Sequence, residues 1–120
     1  MNAQNQEFTR VPQLLSCAVQ GHEARLTLRL PANLIHFEGH FPEVPILPGV
    51  AQLAFVMKYA LEHLAVEGDF LGLTQLKFHT PLRPLDEMDL HLQWQPEKRQ
   101  LRFSYRLKDR TVSSGALRFS

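Results

Sequence analysis

The chain has 120 residues, with 13 Lys and Arg against 12 Asp and Glu and 44% apolar residues, the make-up of a single globular domain. A formal charge of +1 argues against a dedicated nucleic-acid binder, and no apolar run approaches the ~18 residues of a membrane span. Cys17 is the one cysteine, so neither an intrachain disulfide nor a cysteine-based metal site is available within the chain.

Residues 1–120 read as one domain, with residues 1–8 as a loose polar tail. The first nine residues hold no Lys or Arg and no apolar stretch, which points away from a secretory leader and towards a cytoplasmic protein. Residues 13–19 lean apolar (Leu14, Leu15, Cys17, Val19), and the turn Gln20-Gly21-His22 follows. Residues 24–30 then alternate, with Leu26, Leu28 and Leu30 on one face and Arg25, Thr27 and Arg29 on the other. Alternation of period two across a glycine turn predicts a β-hairpin.

Residues 31–48 contain Pro31, Pro42, Pro45, Pro48 and Gly39. Proline lacks an N–H and disfavours helix in the residue before it, so this is an irregular loop. Loops of that length inside a compact domain tend to be functional. Pro48 should open a helix. Val50, Leu53, Ala54, Met57, Leu61 and Leu64 recur at helical spacing, opposite Gln52, Lys58, Tyr59, Glu62 and His63. Ala51, Val56 and Ala60 widen the apolar stripe, which predicts a helix more buried than a surface one. Gly68 is expected just past its end.

Strands are predicted over 71–79, 88–95, 101–107 and 111–119, separated by Pro81, Pro84 and a turn at 96–99. The order is two strands, a loop, one helix and four strands. That predicts the α+β class, an antiparallel sheet curled around one central helix.

The segment from Phe37 to Val50 carries the chemistry. It is a proline-stiffened apolar loop with one imidazole, His40, and it feeds a helix N-terminus; Phe37, Phe41, Ile46 and Leu47 can anchor it. The first N–H groups of a helix lack intrahelical partners and, with the helix dipole, favour negative charge. Gly49 has no side chain, so a ligand oxygen can approach its N–H. His40 as general base and the Gly49 N–H as oxyanion donor make a workable pair for carbonyl chemistry.

Gly39-His40-Phe41-Pro42, Pro45 and Pro48-Gly49-Val50 together resemble the signature of bacterial 3-hydroxyacyl-[acyl carrier protein] dehydratases of the hotdog fold. Leu76-Lys77-Phe78, Pro81-Leu82 and Pro84 resemble the strand after the helix in that family. The run from Pro45 to Leu53 is most similar to the branch associated with aryl polyene pigment synthesis. The resemblance implies a six-stranded antiparallel sheet around the helix, two protomers paired edge to edge, and an acyl tunnel along their interface. It implies loss of water from a 3-hydroxyacyl thioester on acyl carrier protein, giving the trans-2-enoyl thioester in fatty-acid-like or polyene biosynthesis. No metal and no cofactor take part. His40 and Gly49 would be the catalytic positions, and Phe41, Pro48, Val50, Leu53, Ala54 and Met57 would meet the substrate.

One position departs from that pattern. The family usually has Glu or Asp six residues after the helix-starting proline, supplied to the other protomer's site, and here it is Ala54. Gln52, two residues away, points elsewhere around the helix, while Glu38, Glu43 and His36 lie on the loop side. The implied partners are therefore acyl carrier protein and either a second copy, another hotdog subunit that supplies the acid, or a higher oligomer. A hotdog acyl-thioesterase and a catalytically weakened acyl-binding subunit are the alternatives.

The remaining features read as structure. The spacing of His22, His63, His79 and His91 matches no metal motif. Lys77, Arg83, Lys98, Arg99 and Arg102 read as solvated strand edges ahead of a carrier-protein contact. Cys17 reads as a small buried hydrophobe.

Overall fold

The computed structural model describes residues 7–39 and 43–120. Strands β1 (Gln13–Gln20) and β2 (Glu23–Arg29) form the expected hairpin. A single 3-10 turn (Ile35–Phe37) interrupts the following loop, and α1 covers Gly49–His63. Four further strands follow: β3 (Phe70–Phe78), β4 (Glu87–Gln95), β5 (Gln100–Leu107) and β6 (Arg110–Phe119). All pair antiparallel in one six-stranded sheet of order β1-β2-β4-β5-β6-β3. The α+β hotdog architecture read from the sequence is the one observed.

Alternation decides which side of the sheet meets α1. In β2, β4 and β5 every second residue is buried: Leu26, Leu28, Met88, Leu90, Leu92, Trp94, Leu101, Phe103 and Tyr105. The register sets Leu26 opposite Leu90 and Leu92 opposite Phe103, so these side chains form rows across the sheet. Each fully buried Leu or Phe contributes roughly 1.5–3 kcal/mol. On the other face, Thr27 donates to Asp89 at 2.9 Å and His91 bonds Glu23 at 2.6 Å.

The helix sits the other way round from the sequence expectation. Its buried residues are Ala51, Gln52, Phe55, Val56, Tyr59 and Ala60. The expected core stripe is largely open: Val50 is 77% exposed and Leu61 60%, Ala54 is exposed, and Leu53 and Met57 are half-buried. At ~100° per residue these two sets occupy opposite sides of the helix. Phe55 and Tyr59 are the bulkiest side chains available, and the face that carries them is the one turned onto the sheet.

The helix also stops earlier than Gly68 suggests. Leu64 is its C-cap, in extended conformation at φ −122°. Gly68 lies beyond, at φ +92°, where a Cβ would run into the backbone oxygen of Ser120. Cys17 is exposed rather than buried, because β1 is an edge strand exposed along its whole length. Its Sγ lies 3.8 Å from His63 Nδ1.

β3 is the other edge. It carries exposed Phe70, Leu71, Leu73, Leu76 and Phe78, and two irregularities interrupt its pairing with β6. Gln75, at the second, has φ +55°. Bulges of this kind bend an edge strand and limit which strands can pair with it.

Candidate active site

The loop before α1 is held at both ends. Leu34 and Phe37 are buried in the core, and His36 sits edge-on to Phe55 with ring centroids 5.2 Å apart. From outside, the N-terminal segment clasps it: Thr9 N–H donates to Asn33 O at 3.1 Å and Ile35 N–H to Thr9 O at 2.8 Å. At the far end Leu47 N–H donates to Leu82 O at 2.8 Å. His40 and Phe41, expected as the catalytic base and a substrate contact, lie outside the described residues.

Pro48 is the N-cap of α1, with φ −60° and ψ 148°, and has no side-chain cap. Its carbonyl accepts from Ala51 and Gln52 N–H at 3.1 and 3.2 Å. Gly49 and Val50 N–H stand ahead of these, where no helix carbonyl can reach them. A cavity of ≈ 380 Å³ opens beside this end, lined among others by Ile46, Pro48, Gly49, Gln52, Phe78 and Thr80. Positive helix potential and open N–H donors suit that cavity to an oxygen that gains negative charge.

Around the helix from it lies an apolar groove of ≈ 290 Å³, lined by Val50, Leu53, Ala54, Met57, Phe70 and Leu73 among others. Four of the expected substrate contacts are therefore together in one groove, and Pro48 and Gly49 line the ≈ 380 Å³ cavity. Ala54 faces the groove and brings no acid to it. A further cavity, ≈ 500 Å³ and lined in part by Arg25, Thr27, Asp89, His91 and Ser104, is on the sheet face away from α1.

A buried polar cluster holds the first turn of α1. Tyr105 Oη donates to Gln52 O at 2.6 Å, and Ser113 Oγ donates to Gln52 Oε1 at 2.7 Å. Burial pushes the Tyr105 phenol well above its usual pKa, with Tyr59 adding to the effect. Tyr59 itself is raised to about 12 by burial and by Glu62. His36 is lowered, first by burial and then by the Arg10 charge, so its imidazole is neutral at neutral pH. Sequence reading missed Gln52 and Phe78 as neighbours of Gly49, and Ser113 as the partner of Gln52. The signal for Gln52 was its position on the Phe55–Tyr59 side of the helix.

The ApeI-like family model, described as ApeI dehydratase, matches residues 16–116. The chain belongs to this dehydratase family. Among solved structures it is similar to a chain of the dehydratase heterocomplex ApeI:P from Xenorhabdus doucetiae, with TM-score 0.85 and 38% identity over 90% of this chain and 96% of that one. The 3-hydroxyacyl-[acyl-carrier-protein] dehydratase FabZ of Nitratidesulfovibrio vulgaris (strain DP4) is 31% identical over 108 residues, 82% of this chain and 68% of that protein. The FabZ of Oleidesulfovibrio alaskensis is 36% identical over 64 residues, which span 46% of this chain and 42% of that protein. These relatives place the chain among hotdog-fold 3-hydroxyacyl dehydratases, close to the ApeI branch. No helix among the described residues is long and apolar enough to cross a membrane.

Proposed function

We propose that the chain is a dehydratase subunit that removes water from a 3-hydroxyacyl thioester carried on acyl carrier protein. The observation that carries this reading is the open Gly49 end of α1, which fronts a cavity with Ile46 and Phe78, while the next helix residue, Val50, lines the apolar Ala54 groove. The acyl chain lies in the groove, and the thioester carbonyl oxygen takes the Gly49 N–H. His40 removes the C2 proton, and the charge that develops on the carbonyl oxygen is held by the helix end. The C3–O bond then breaks, and the hydroxyl leaves as water once it receives a proton.

Ala54 cannot supply that proton. The acid comes from a second hotdog subunit, which covers the open face of α1 and the β3 edge. Support for such an arrangement comes from the apolar exposure of Val50, Leu61, Phe70 and Leu71 and from the heterocomplex in which the ApeI relative occurs. The aryl polyene branch suggests that the acyl chain is polyunsaturated, in a cytoplasmic biosynthetic system.

The test is turnover of a 3-hydroxyacyl carrier-protein thioester, with the enoyl product read by mass spectrometry. Wild type forms product and His40→Ala does not. Equal inactivity of both would remove the support for this reading, and release of free thiol would identify a thioesterase instead.

A further inference from the structure

We propose that Gln52 binds the substrate: its side-chain amide is a second hydrogen-bond donor, beside the Gly49 N–H, for the carbonyl oxygen of the acyl thioester. This deepens the dehydratase reading of the same site and rests on it.

Gln52 is 3% exposed, on a helix face otherwise made of Ala51, Phe55, Val56, Tyr59 and Ala60. A primary amide is expensive to bury there unless its polar atoms are used. Two hydroxyls are directed at this residue. Ser113 Oγ donates to Gln52 Oε1, and Tyr105 Oη donates to Gln52 O. Both donors are themselves 0% exposed, so neither hydroxyl has bulk water as an alternative partner. The Tyr105 bond ties down the backbone of α1 and does not need the Gln52 side chain, so the buried amide and its Ser113 partner are left to be explained.

An amide has an acceptor end and a donor end in one plane. Ser113 on β6 occupies the acceptor end, which leaves Nε2 as the end of the amide that can face a ligand. The same side chain lines the ≈ 380 Å³ cavity with Pro48, Gly49 and Phe78. A clamped amide and the first N–H of the helix thus front one space. Side-chain amides act with backbone N–H groups in oxyanion holes, and a donor already held in place needs no reorganisation when charge develops. A carbonyl oxygen suits two N–H donors, whereas a cationic ligand does not.

Two measurements test this. The first is NMR of the ¹⁵N-labelled chain titrated with octanoyl-pantetheine amide, which keeps the carbonyl but has no 3-hydroxyl to lose. The Gln52 side-chain NH2 pair is assigned by its absence in Gln52→Leu. We expect that pair and the Gly49 amide to shift together. A shift at Gly49 with the Gln52 pair unmoved overturns the role of Gln52 alone. No shift at either overturns the dehydratase reading of the site and the proposal with it.

The second measurement is kinetic and compares wild type with the Gln52→Leu/Ser113→Ala double variant. Removing both partners leaves no unpaired hydroxyl behind, so thermal stability stays close to wild type. The expected result is a loss of about 10²-fold in kcat/KM, the size seen for one oxyanion donor. A double variant with wild-type kcat/KM would show that Gln52 serves only the packing of α1.

Discussion

Phe78 lies directly over Gly49: a Cβ built on residue 49 would stand 2.7 Å from the Cζ of its ring. The edge strand β3 therefore reaches across to the start of α1, and only the missing side chain lets it. Helix propensity alone would favour alanine at this position by up to about 1 kcal/mol. The Phe78 ring must shift to admit a Cβ, which opposes that gain. Gly49→Ala is expected to lower unfolding free energy by up to about 1 kcal/mol in urea, less than overpacking in a core costs, because the half-exposed Phe78 ring can shift. Gly49→Ala/Phe78→Ala should recover most of it, relative to Phe78→Ala alone. A stabilised Gly49→Ala would mean that the ring moves aside freely.

Ala54 is exposed in the apolar groove, so a longer side chain there meets no core. Ala54→Glu or Ala54→Asp should leave stability within about 0.5 kcal/mol, as for most surface changes. If the missing acid limits the chain on its own, either variant raises its dehydratase rate, by about 10²–10⁴-fold at most. No gain in either variant would place the acid elsewhere than at this helix position.

The sheet was legible residue by residue because period-two alternation in β2, β4 and β5 leaves one buried face. The helix was not. Apolar residues run round most of α1, so periodicity alone could not say which stripe meets the sheet. The stripe from Val50 through Ala54 and Met57 to Leu61 has the helical spacing, yet it is the open side. Phe55 and Tyr59 decide the orientation, since burying the largest rings gains most. The error is informative, because a helix apolar on two opposite sides has two surfaces to cover. Cys17 failed for a different reason: burial depends on a strand's place in the sheet, and sequence does not reveal that β1 is an edge. The Gly49 end of α1 was legible from Pro48-Gly49 alone. The Ser113–Gln52 bond joins residues 61 positions apart and was not.

His36 gives a pH dependence. Its folded pKa lies below 6.5 because of burial and then Arg10, while the unfolded chain keeps the ordinary value. The unfolded state therefore binds the proton first as pH falls. This contribution to stability is complete above pH ~6.5 and is lost as pH drops towards the folded pKa. His36→Phe keeps a ring against Phe55 without titrating. Between pH 7.5 and 5.5 the melting temperature of wild type should fall more steeply than that of His36→Phe. Parallel slopes would remove His36 from the acid response.

The clasp between Thr9 and Asn33 should govern the loop it holds. Asn33 Oδ1 accepts from Thr9 Oγ1 at 3.1 Å, next to the two backbone bonds. Asn33→Ala removes this bond and the longer one from Asn33 Nδ2 to Glu7 O, and Thr9→Pro removes both the N–H and the Oγ1 donors. Each should weaken the clasp by about 0.5–1.5 kcal/mol. Hydrogen exchange at the Ile35 amide, which donates to Thr9 O, should speed up by up to about tenfold, while β4 and β5 amides stay protected. Unchanged exchange at Ile35 would show that the core contacts of Leu34 and Phe37 suffice.

The central claim is that this chain supplies the base and the oxyanion donor of a dehydratase whose acid comes from another subunit. It is tested most directly by enoyl-thioester formation from a 3-hydroxyacyl carrier-protein substrate. The rate is measured for the chain alone, for the chain with its co-purified hotdog partner, and for His40→Ala with the same partner. The account predicts slow turnover alone, a rate higher by about 10²–10⁴-fold with the partner, and loss of that gain in His40→Ala. A chain that is fully active alone, or a complex indifferent to His40→Ala, would contradict it.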